Sequence, residues 1–365
     1  MSGDRMRARL GFAWTMVVAL LLWAAPIPLA SQRTTSSLPT ALSDQEFWSL
    51  VEEFSEPDGF FQSENLVGNE RPLQQVVPVL ETMRRGDAYL GVAPDQNFTY
   101  IVALQPSIAF IVDIRRGNLL LHLMYKAIFE MSNDRADFLS RLFARPRPAG
   151  LDGQTSVDDL LDAYWEVETD AELNAATLRA INERLTTTHG FRLSADDLSR
   201  IAGIYAMFVR EGPALSYSPG SPRGMPTYAE MQLATDLSGK PRAYLVTEAS
   251  YRQVKDLQAR NLIVPVVGDF AGPKALRSVG AYLRAHGVVV RTFYTSNVEQ
   301  YLFRNEAALA FYANVATLPT DRESVFVRYA SRRTVVDPVG DLLTAVREGR
   351  ILEYWDVARR GTIVP

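Results

Sequence analysis

Residues 87–131 follow the order strand, loop, helix, strand, and the second strand ends on a carboxylate. An apolar run over 88–92 stops at a polar turn, a helix is predicted over Phe98–Leu104, and a second apolar run, Ile108–Val112, ends on Asp113. Nucleotide-binding α/β folds are built from this unit and bind their ligand at the carboxyl ends of the strands. The segment therefore predicts an α/β fold whose site lies at one edge of a parallel sheet.

The rest of the chain continues this alternation of helices and strands. The capping-box pair Ser43 and Glu46 predicts a helix over Asp44–Phe54, and Pro78 implies a kink or an early stop in a helix over 72–85. Further strands are predicted over 243–246, 262–267, 288–294 and 324–329, and a last helix over 341–348. Strands that alternate with helices favour a mostly parallel, Rossmann-like sheet.

The chain divides into five segments by its sequence pattern. The stretch before residue 43 is separate from the folded part, and helical periodicity dominates from residue 156 to residue 212. The predicted segments are 1–30, a signal peptide or anchor; 31–42, a linker; 43–150, the first part of the α/β core; 151–226, a helical insertion; and 227–365, the second part of the core.

The N-terminus has the pattern of a secretory signal. Arg5, Arg7 and Arg9 precede an apolar run over residues 10–25, and Ala30 follows at a small-residue exit. If the run is cleaved, the protein is exported; if it is not, residues 10–25 attach it to a membrane. Basic residues ahead of the run favour an N-terminus inside, so either alternative predicts a periplasmic or otherwise extracytoplasmic folded part.

Composition excludes several classes of site. The chain has no cysteine and three histidines, so thiolate sites are excluded and a histidine-rich metal site is not expected. Its net charge of −4 and scattered Lys and Arg residues give no basic footprint for nucleic acid. No GxSxG, HExxH or Walker loop is present, which argues against common hydrolases and NTPases. A small-molecule ligand is the expected partner.

Two carboxylates at predicted strand ends are the leading site candidates. Asp113 is placed to accept hydrogen bonds from ribose hydroxyls, or else to pair with Arg115 or cap the next helix. Asp269, after Gly268, is placed to contact a ligand, or else to cap the helix that begins near Pro273. The sequence leaves both alternatives open for each carboxylate.

The loop after the first strand is an unusual glycine loop. It has one glycine, Gly91, and Pro94 removes an amide donor, so it is a poor phosphate cradle. Asp95, Gln96 and Asn97 either bind a polar ligand without phosphate or cap the following helix.

Further polar residues are predicted near the same crevice. Arg115 and Asn118 share a helix face with His122, which we interpret as a buried core histidine. A polar loop before the first strand either folds over the crevice or is an ordinary solvated loop. The remaining candidate ligand contacts are Asn65, Asn69, Glu70, Tyr294 and Asn297.

Five segments carry a resemblance to a known family. They read SEPDGFFQSENLVGNER, GVAPDQNFTYIVAL, IAFIVDIRRGNLLLHLMYKAIFE, NLIVPVVGDFAGPKAL and FYTSNVEQYLF, and lie within residues 44–303. With these the chain resembles an uncharacterised bacterial protein family that has a class I S-adenosylmethionine-dependent methyltransferase-like core. The first loop of that family reads GVGPDQN, so Ala93 replaces a glycine.

The resemblance implies a cofactor site for S-adenosylmethionine. By similarity, the loop of Gly91 faces the methionine part, Asp113 holds the ribose, and Asp269 with Phe270 flanks the adenine. Two functions then compete: a methyltransferase-like enzyme, or an exported non-catalytic small-molecule-binding protein on the same fold. A third, weaker alternative is an enzyme that uses another nucleotide or no cofactor.

Overall fold

One seven-stranded sheet forms the centre of the protein. A computed structural model describes residues 37–217 and 224–363. The predicted signal peptide or anchor, and residues 31–36 of the linker, lie outside this part. The strands are β1 (Ala88–Gly91), β2 (Ile108–Asp113), β3 (Ile263–Val267), β4 (Val290–Ser296), β5 (Val325–Ala330), β6 (Arg333–Pro338) and β7 (Thr362–Ile363).

Fifteen α-helices connect and cover the strands in the described residues. They are α1 (Asp44–Phe54), α2 (Val77–Leu80), α3 (Gln96–Leu104), α4 (Arg116–Met131), α5 (Arg135–Phe143), α6 (Val157–Trp165), α7 (Ala171–Glu183), α8 (Ala195–Glu211), α9 (Tyr228–Leu233), α10 (Glu248–Ala259), α11 (Ala275–Ala285), α12 (Val298–Arg304), α13 (Ala308–Val315), α14 (Val339–Arg347) and α15 (Tyr354–Ala358).

The sheet has the strand order β3-β2-β1-β4-β5-β6-β7. The five strands from β3 to β5 are mutually parallel, whereas β6 is antiparallel to β5 and β7 is antiparallel to β6. The order 3-2-1-4-5 is that of doubly wound Rossmann folds, in which ligands bind where the order reverses, here between β1 and β4. The prediction of an α/β fold with a mostly parallel sheet is confirmed, and the strand order is compatible with a Rossmann-like fold.

Helices pack on the sheet in two groups. α4 packs on β2 and β3 and is covered by α8 and α10, which explains why its sequence is apolar almost all round. α1 and α11 pack on each other and contact β3 and β2, respectively. The helices α5 to α9, over 135–233, separate α4 from α10 along the chain and lengthen the connection between β2 and β3.

The structure corrects two of the predicted elements. Residues 243–246 form a turn and not a strand, because Tyr244 and Leu245 are buried there without strand pairing. An apolar run marks burial, which a turn between two helices also provides. The helix expected over 72–85 is a 3₁₀ turn at Arg71–Val76 followed by α2, which ends two residues after Pro78. Within the described residues, every helix is too short or too polar to cross a membrane.

Candidate functional site

A cavity of about 840 Å³ lies at the carboxyl ends of β1, β2, β3 and β4. Each of these strands contributes residues at or directly after its C-terminal end, and the loop between α1 and α2 closes another side. The residues that line it are Phe60, Phe61, Gln62, Ser63, Asn65, Val67, Gly68, Asn69, Val92, Ala93, Pro94, Gln96, Asp113, Ile114, Arg115, Tyr217, Met225, Gly268, Asp269, Phe270, Ser296, Asn297, Val298, Tyr301, Leu302, Asn305 and Ala307.

At the end of β2, Asp113 forms a buried ion pair with Arg115. The guanidinium donates from Nε to Oδ1 and from Nη2 to Oδ2, both at 3.1 Å, and the backbone N–H of Arg115 also donates to Oδ1 at 2.9 Å. Nη1 of Arg115 donates to the carbonyl oxygens of Ser63 and Glu64. The pair therefore fixes the polar loop to the strand end, and Asp113 both lines the cavity and has the arginine partner that the sequence left open.

At the end of β3, residues 268–274 lead into α11. A Cβ on Gly268 would lie 2.2 Å from Cβ of Ala275, so close packing of the turn on α11 requires glycine. Oδ1 of Asp269 accepts from the backbone N–H of Ala271 at 2.9 Å. The ring of Phe270 is buried and packs on Phe293 and Phe311, with ring centroids 5.0 and 5.6 Å away.

The loop after β1 is held from within by Asn97. Its Nδ2 lies 2.7–3.1 Å from the carbonyl oxygens of Val92, Ala93 and Pro94, and its Oδ1 accepts from the hydroxyl of Tyr89 at 2.7 Å. A Cβ on residue 91 would lie 2.0 Å from Oδ1 of Asn97. The glycine therefore makes room for a side chain of the protein and not for a ligand.

Ala93 is the strained residue of this loop. Its φ is +70°, in the left-handed region that favours glycine. Its carbonyl oxygen also lies 3.0 Å from Nε2 of His122. Burial lowers the pKa of His122 to about 4, so the neutral imidazole supports the loop, in agreement with a core histidine.

Behind the wall at the end of β4 lies a buried carboxyl group. Ser296, whose φ is +52°, lines the cavity and donates its hydroxyl to Oε1 of Glu70. Burial raises the pKa of Glu70 to about 7, and Oε2 has no partner among the described residues. Nε2 of Gln96 donates to the hydroxyl of Tyr294 at 3.2 Å, while Oε1 of Gln96 is buried without a described partner.

Aromatic side chains from separate segments form an aromatic wall of the cavity. The rings of Phe61 and Tyr301 meet edge to face at 5.1 Å, and the hydroxyl of Tyr217 accepts from Oγ of Ser63 at 3.0 Å. Phe60 is exposed at the same wall. The cavity therefore combines polar groups with a cluster of aromatic rings.

A family profile described as "Domain of unknown function (DUF7790)" matches residues 66–347. The chain belongs to the DUF7790 family. The matched span contains β1 to β6 and all four strand ends that line the cavity, whereas Phe60–Asn65 of the aromatic wall and its loop precede it. No curated protein matches the chain.

Within this member of the DUF7790 family, eight predicted site residues line the cavity. They are Asn65, Asn69, Gln96, Asp113, Arg115, Asp269, Phe270 and Asn297. Six others do not line it. They are Glu70, Gly91, Asp95, Asn97, Asn118 and Tyr294.

Two of those six lie well behind the wall. Oδ2 of Asp95 accepts from Nε2 of Gln232 at 3.0 Å, and burial raises the pKa of this carboxyl to about 7. Asn118 is buried in α4, and neither polar atom of its side chain has a described partner. The described residues contain no cluster of three or more His, Asp or Glu side chains that could hold a metal ion.

The sequence reasoning missed the aromatic wall. Phe61, Tyr217 and Tyr301 are far apart in the chain and belong to no motif. The one available signal was the Phe60-Phe61 pair, which interrupts an otherwise polar loop after a Pro-Asp-Gly turn. Large apolar residues in such a loop mark either burial or a binding surface.

Proposed function

We propose that this protein binds S-adenosylmethionine or a related nucleoside in the cavity, as a methyltransferase-like protein with a class I-like core. The observation that carries the proposal is the convergence of four adjacent parallel strand ends on one cavity of about 840 Å³. This volume is within the range of about 300–1,000 Å³ that small-molecule and cofactor sites occupy.

Three lining residues fit a nucleoside. Oδ2 of Asp113 has one described donor, Nη2 of Arg115, and a carboxylate oxygen accepts two, so a ribose hydroxyl has a place there. The buried, unpartnered Oε1 of Gln96 suits an ammonium or hydroxyl donor. The ring of Phe270 offers an apolar surface for a base.

The chain's own contribution to methyl transfer would be binding, orientation and exclusion of water. S-adenosylmethionine supplies an activated methyl group when bound. Transfer of that group depends mainly on alignment with an acceptor, so a cavity without a catalytic triad is sufficient. The aromatic wall of Phe61, Tyr217 and Tyr301 would help to enclose an acceptor.

A second candidate is a non-catalytic binding protein on the same fold. It is favoured by the loop after β1, where Asn97 fills the space at Gly91 that a glycine loop leaves for a ligand. It is also favoured by the engagement of Asp113 with Arg115.

Calorimetric titration of the purified protein with S-adenosylmethionine and S-adenosylhomocysteine tests the proposal. We expect micromolar binding that Asp113→Asn weakens at least about tenfold, since a hydrogen bond to a charged group contributes about 1.5–3 kcal/mol. Asp158→Asn, on the exposed face of α6, is the matched control and should bind as the unmodified protein does.

The titration together with an assay of methyl transfer separates the two candidates. Binding together with transfer of a radiolabelled methyl group to any acceptor supports the enzyme. Tight binding without transfer supports the binding protein. Absence of binding of either compound, by a protein whose circular dichroism shows it folded, refutes a nucleoside site.

A further inference from the structure

We infer that the cavity selects uncharged or positively charged nucleosides and rejects phosphorylated ones. The inference rests on the proposed nucleoside site and specifies the chemistry of its ligand. In α/β folds the phosphates of a ligand bind the free N–H groups at helix N-termini that follow the strands. Three helices of this kind with eight or more residues, α3, α4 and α11, begin beside the cavity, as does the seven-residue α12 after β4.

The N-terminus of α11 is occupied by a carboxylate of the protein. Oε1 of Glu56 accepts from the backbone N–H groups of Lys274 and Ala275 at 2.8 and 2.9 Å, and Oε2 accepts from that of Asp269 at 3.0 Å. A Cβ on Gly272 would lie 2.3 Å from the same carboxylate. Glu56 therefore takes the position that a phosphate would take at this helix.

The N-terminus of α4 is occupied in the same way. Oδ1 of Asp58 accepts from the backbone N–H of Arg116 at 2.6 Å, and Oδ1 of Asp113 accepts from that of Arg115 at 2.9 Å. Asp58 and Glu56 belong to one loop, so a single segment of the chain supplies an anion to both helices.

The N-terminus of α3 gives a phosphate few donors. Pro94 has no N–H, and the N–H groups of Asn97 and Phe98 donate to the carbonyl oxygens of Pro94 and Asp95. The carboxyl group of Asp95 lies behind this turn, at Gln232.

The charged side chains of the wall point to the same selectivity. Among the described residues that line the cavity, these are Asp113, Arg115 and Asp269. Arg115 is the single cation, and its guanidinium is engaged by Asp113 and by two backbone carbonyl oxygens. The described wall thus has an excess of one negative charge, which repels a phosphate and attracts a cation.

Competitive titration with matched pairs of ligands tests this selectivity. We expect adenosine to bind at least about tenfold more tightly than adenosine monophosphate at low salt, because like charges brought together at an interface oppose binding strongly. We also expect Asp269→Asn to weaken S-adenosylmethionine, which is more positive, more than S-adenosylhomocysteine. Equal or tighter binding of the monophosphate overturns the inference.

A gain of affinity for adenosine monophosphate provides a second test. Glu56→Ala frees the first N–H groups of α11, and we expect it to narrow the preference for adenosine over the monophosphate by about two- to fivefold, the usual effect of a charge at a helix terminus. Glu53→Ala, exposed in α1, is the control. An unchanged preference in folded Glu56→Ala contradicts the role given to Glu56. If no nucleoside binds the unmodified, folded protein, the proposed function fails and the selectivity fails with it.

Discussion

Replacement of Glu70 by glutamine should make the protein less sensitive to pH. Glu70 is buried, its Oε1 accepts from Ser296, and its Oε2 has no described partner. Glutamine preserves the shape of the side chain and an acceptor for Ser296, and it cannot ionise. The substitution therefore removes a titration and leaves the packing in place.

The size of the effect follows from the pKa of Glu70. Burial raises it from 4.5 to about 7. When folding raises the pKa of a carboxyl group, the group contributes its full stability below its pKa in the unfolded state, where it is protonated in both states. This contribution is lost as the pH rises through the pKa in the folded state. At 1.36 kcal/mol per pKa unit, the burial of Glu70 therefore removes about 3 kcal/mol of stability by pH 8.

Urea unfolding at pH 5 and pH 8, followed by tryptophan fluorescence, measures this contribution. Between these two pH values, the free energy of unfolding of Glu70→Gln relative to the unmodified protein should rise by about 2–3 kcal/mol. Glu53→Gln, on an exposed site in α1, should show no such change. If the free energy of unfolding of Glu70→Gln relative to the unmodified protein is the same at both pH values, the raised pKa of Glu70 is refuted.

Three further substitutions test the supports of the site by the same unfolding measurement. Ala93→Gly should raise the free energy of unfolding by about 0.5–1 kcal/mol, because it relieves the positive φ at a smaller cost in chain entropy; a decrease would contradict this reading of the loop. Asn97→Ala should lower the free energy of unfolding by about 3 kcal/mol through the lost hydrogen bonds to three carbonyl oxygens. A change below about 1 kcal/mol would show that the loop keeps its conformation without these hydrogen bonds. Glu130→Gln should lower it by about 3 kcal/mol at pH 7, because it leaves Lys126 and His189 without their shared carboxylate. Despite burial, hydrogen bonds from His189 and Lys126 hold the pKa of Glu130 below its ordinary value of 4.5. The contribution of Glu130 to stability is therefore present above that pH and is lost as the pH falls through the pKa in the folded state. If the destabilisation by Glu130→Gln is no smaller in acid than at pH 7, this explanation is contradicted.

Local patterns in the sequence were sufficient for much of the fold. The pair Ser43 and Glu46 predicted the start of α1, because a capping box satisfies the first backbone donors of a helix within three residues, and the apolar spacing up to Phe54 predicted its end. The runs that end at Asp113 and Val267 gave two of the strand ends at the cavity, since β-branched runs bounded by turn residues are typical of buried strands.

The sequence could not decide what the strand-end carboxylates contact. Asp113 had two alternatives, and the choice depended on how the chain around Ser63, fifty residues away, returns to Arg115. Glu56 was not considered at all, because its partners at Lys274 and Ala275 are more than two hundred residues further along the chain. Contacts of this kind leave no periodic trace in one sequence.

The sequence also could not show why residue 91 is a glycine. A glycine after a first strand is typical of a loop that a ligand approaches closely. Here the space is taken by Asn97, six residues later, and the same pattern serves internal packing. The antiparallel strand β6 was missed because it follows β5 without a helix between them, and β7 was missed because it has only two residues.

The long connection between β2 and β3 has a consequence for how the chain folds as it is made. β1 pairs with β2 on one side and with β4 on the other, and Gly91 precedes Val290 by about 200 residues. At a synthesis rate of about 5–20 residues per second, β1 waits roughly 10–40 s for its second neighbour. During that interval its unpaired edge is open to other chains. We therefore expect protection from aggregation to matter during the interval before β4 emerges.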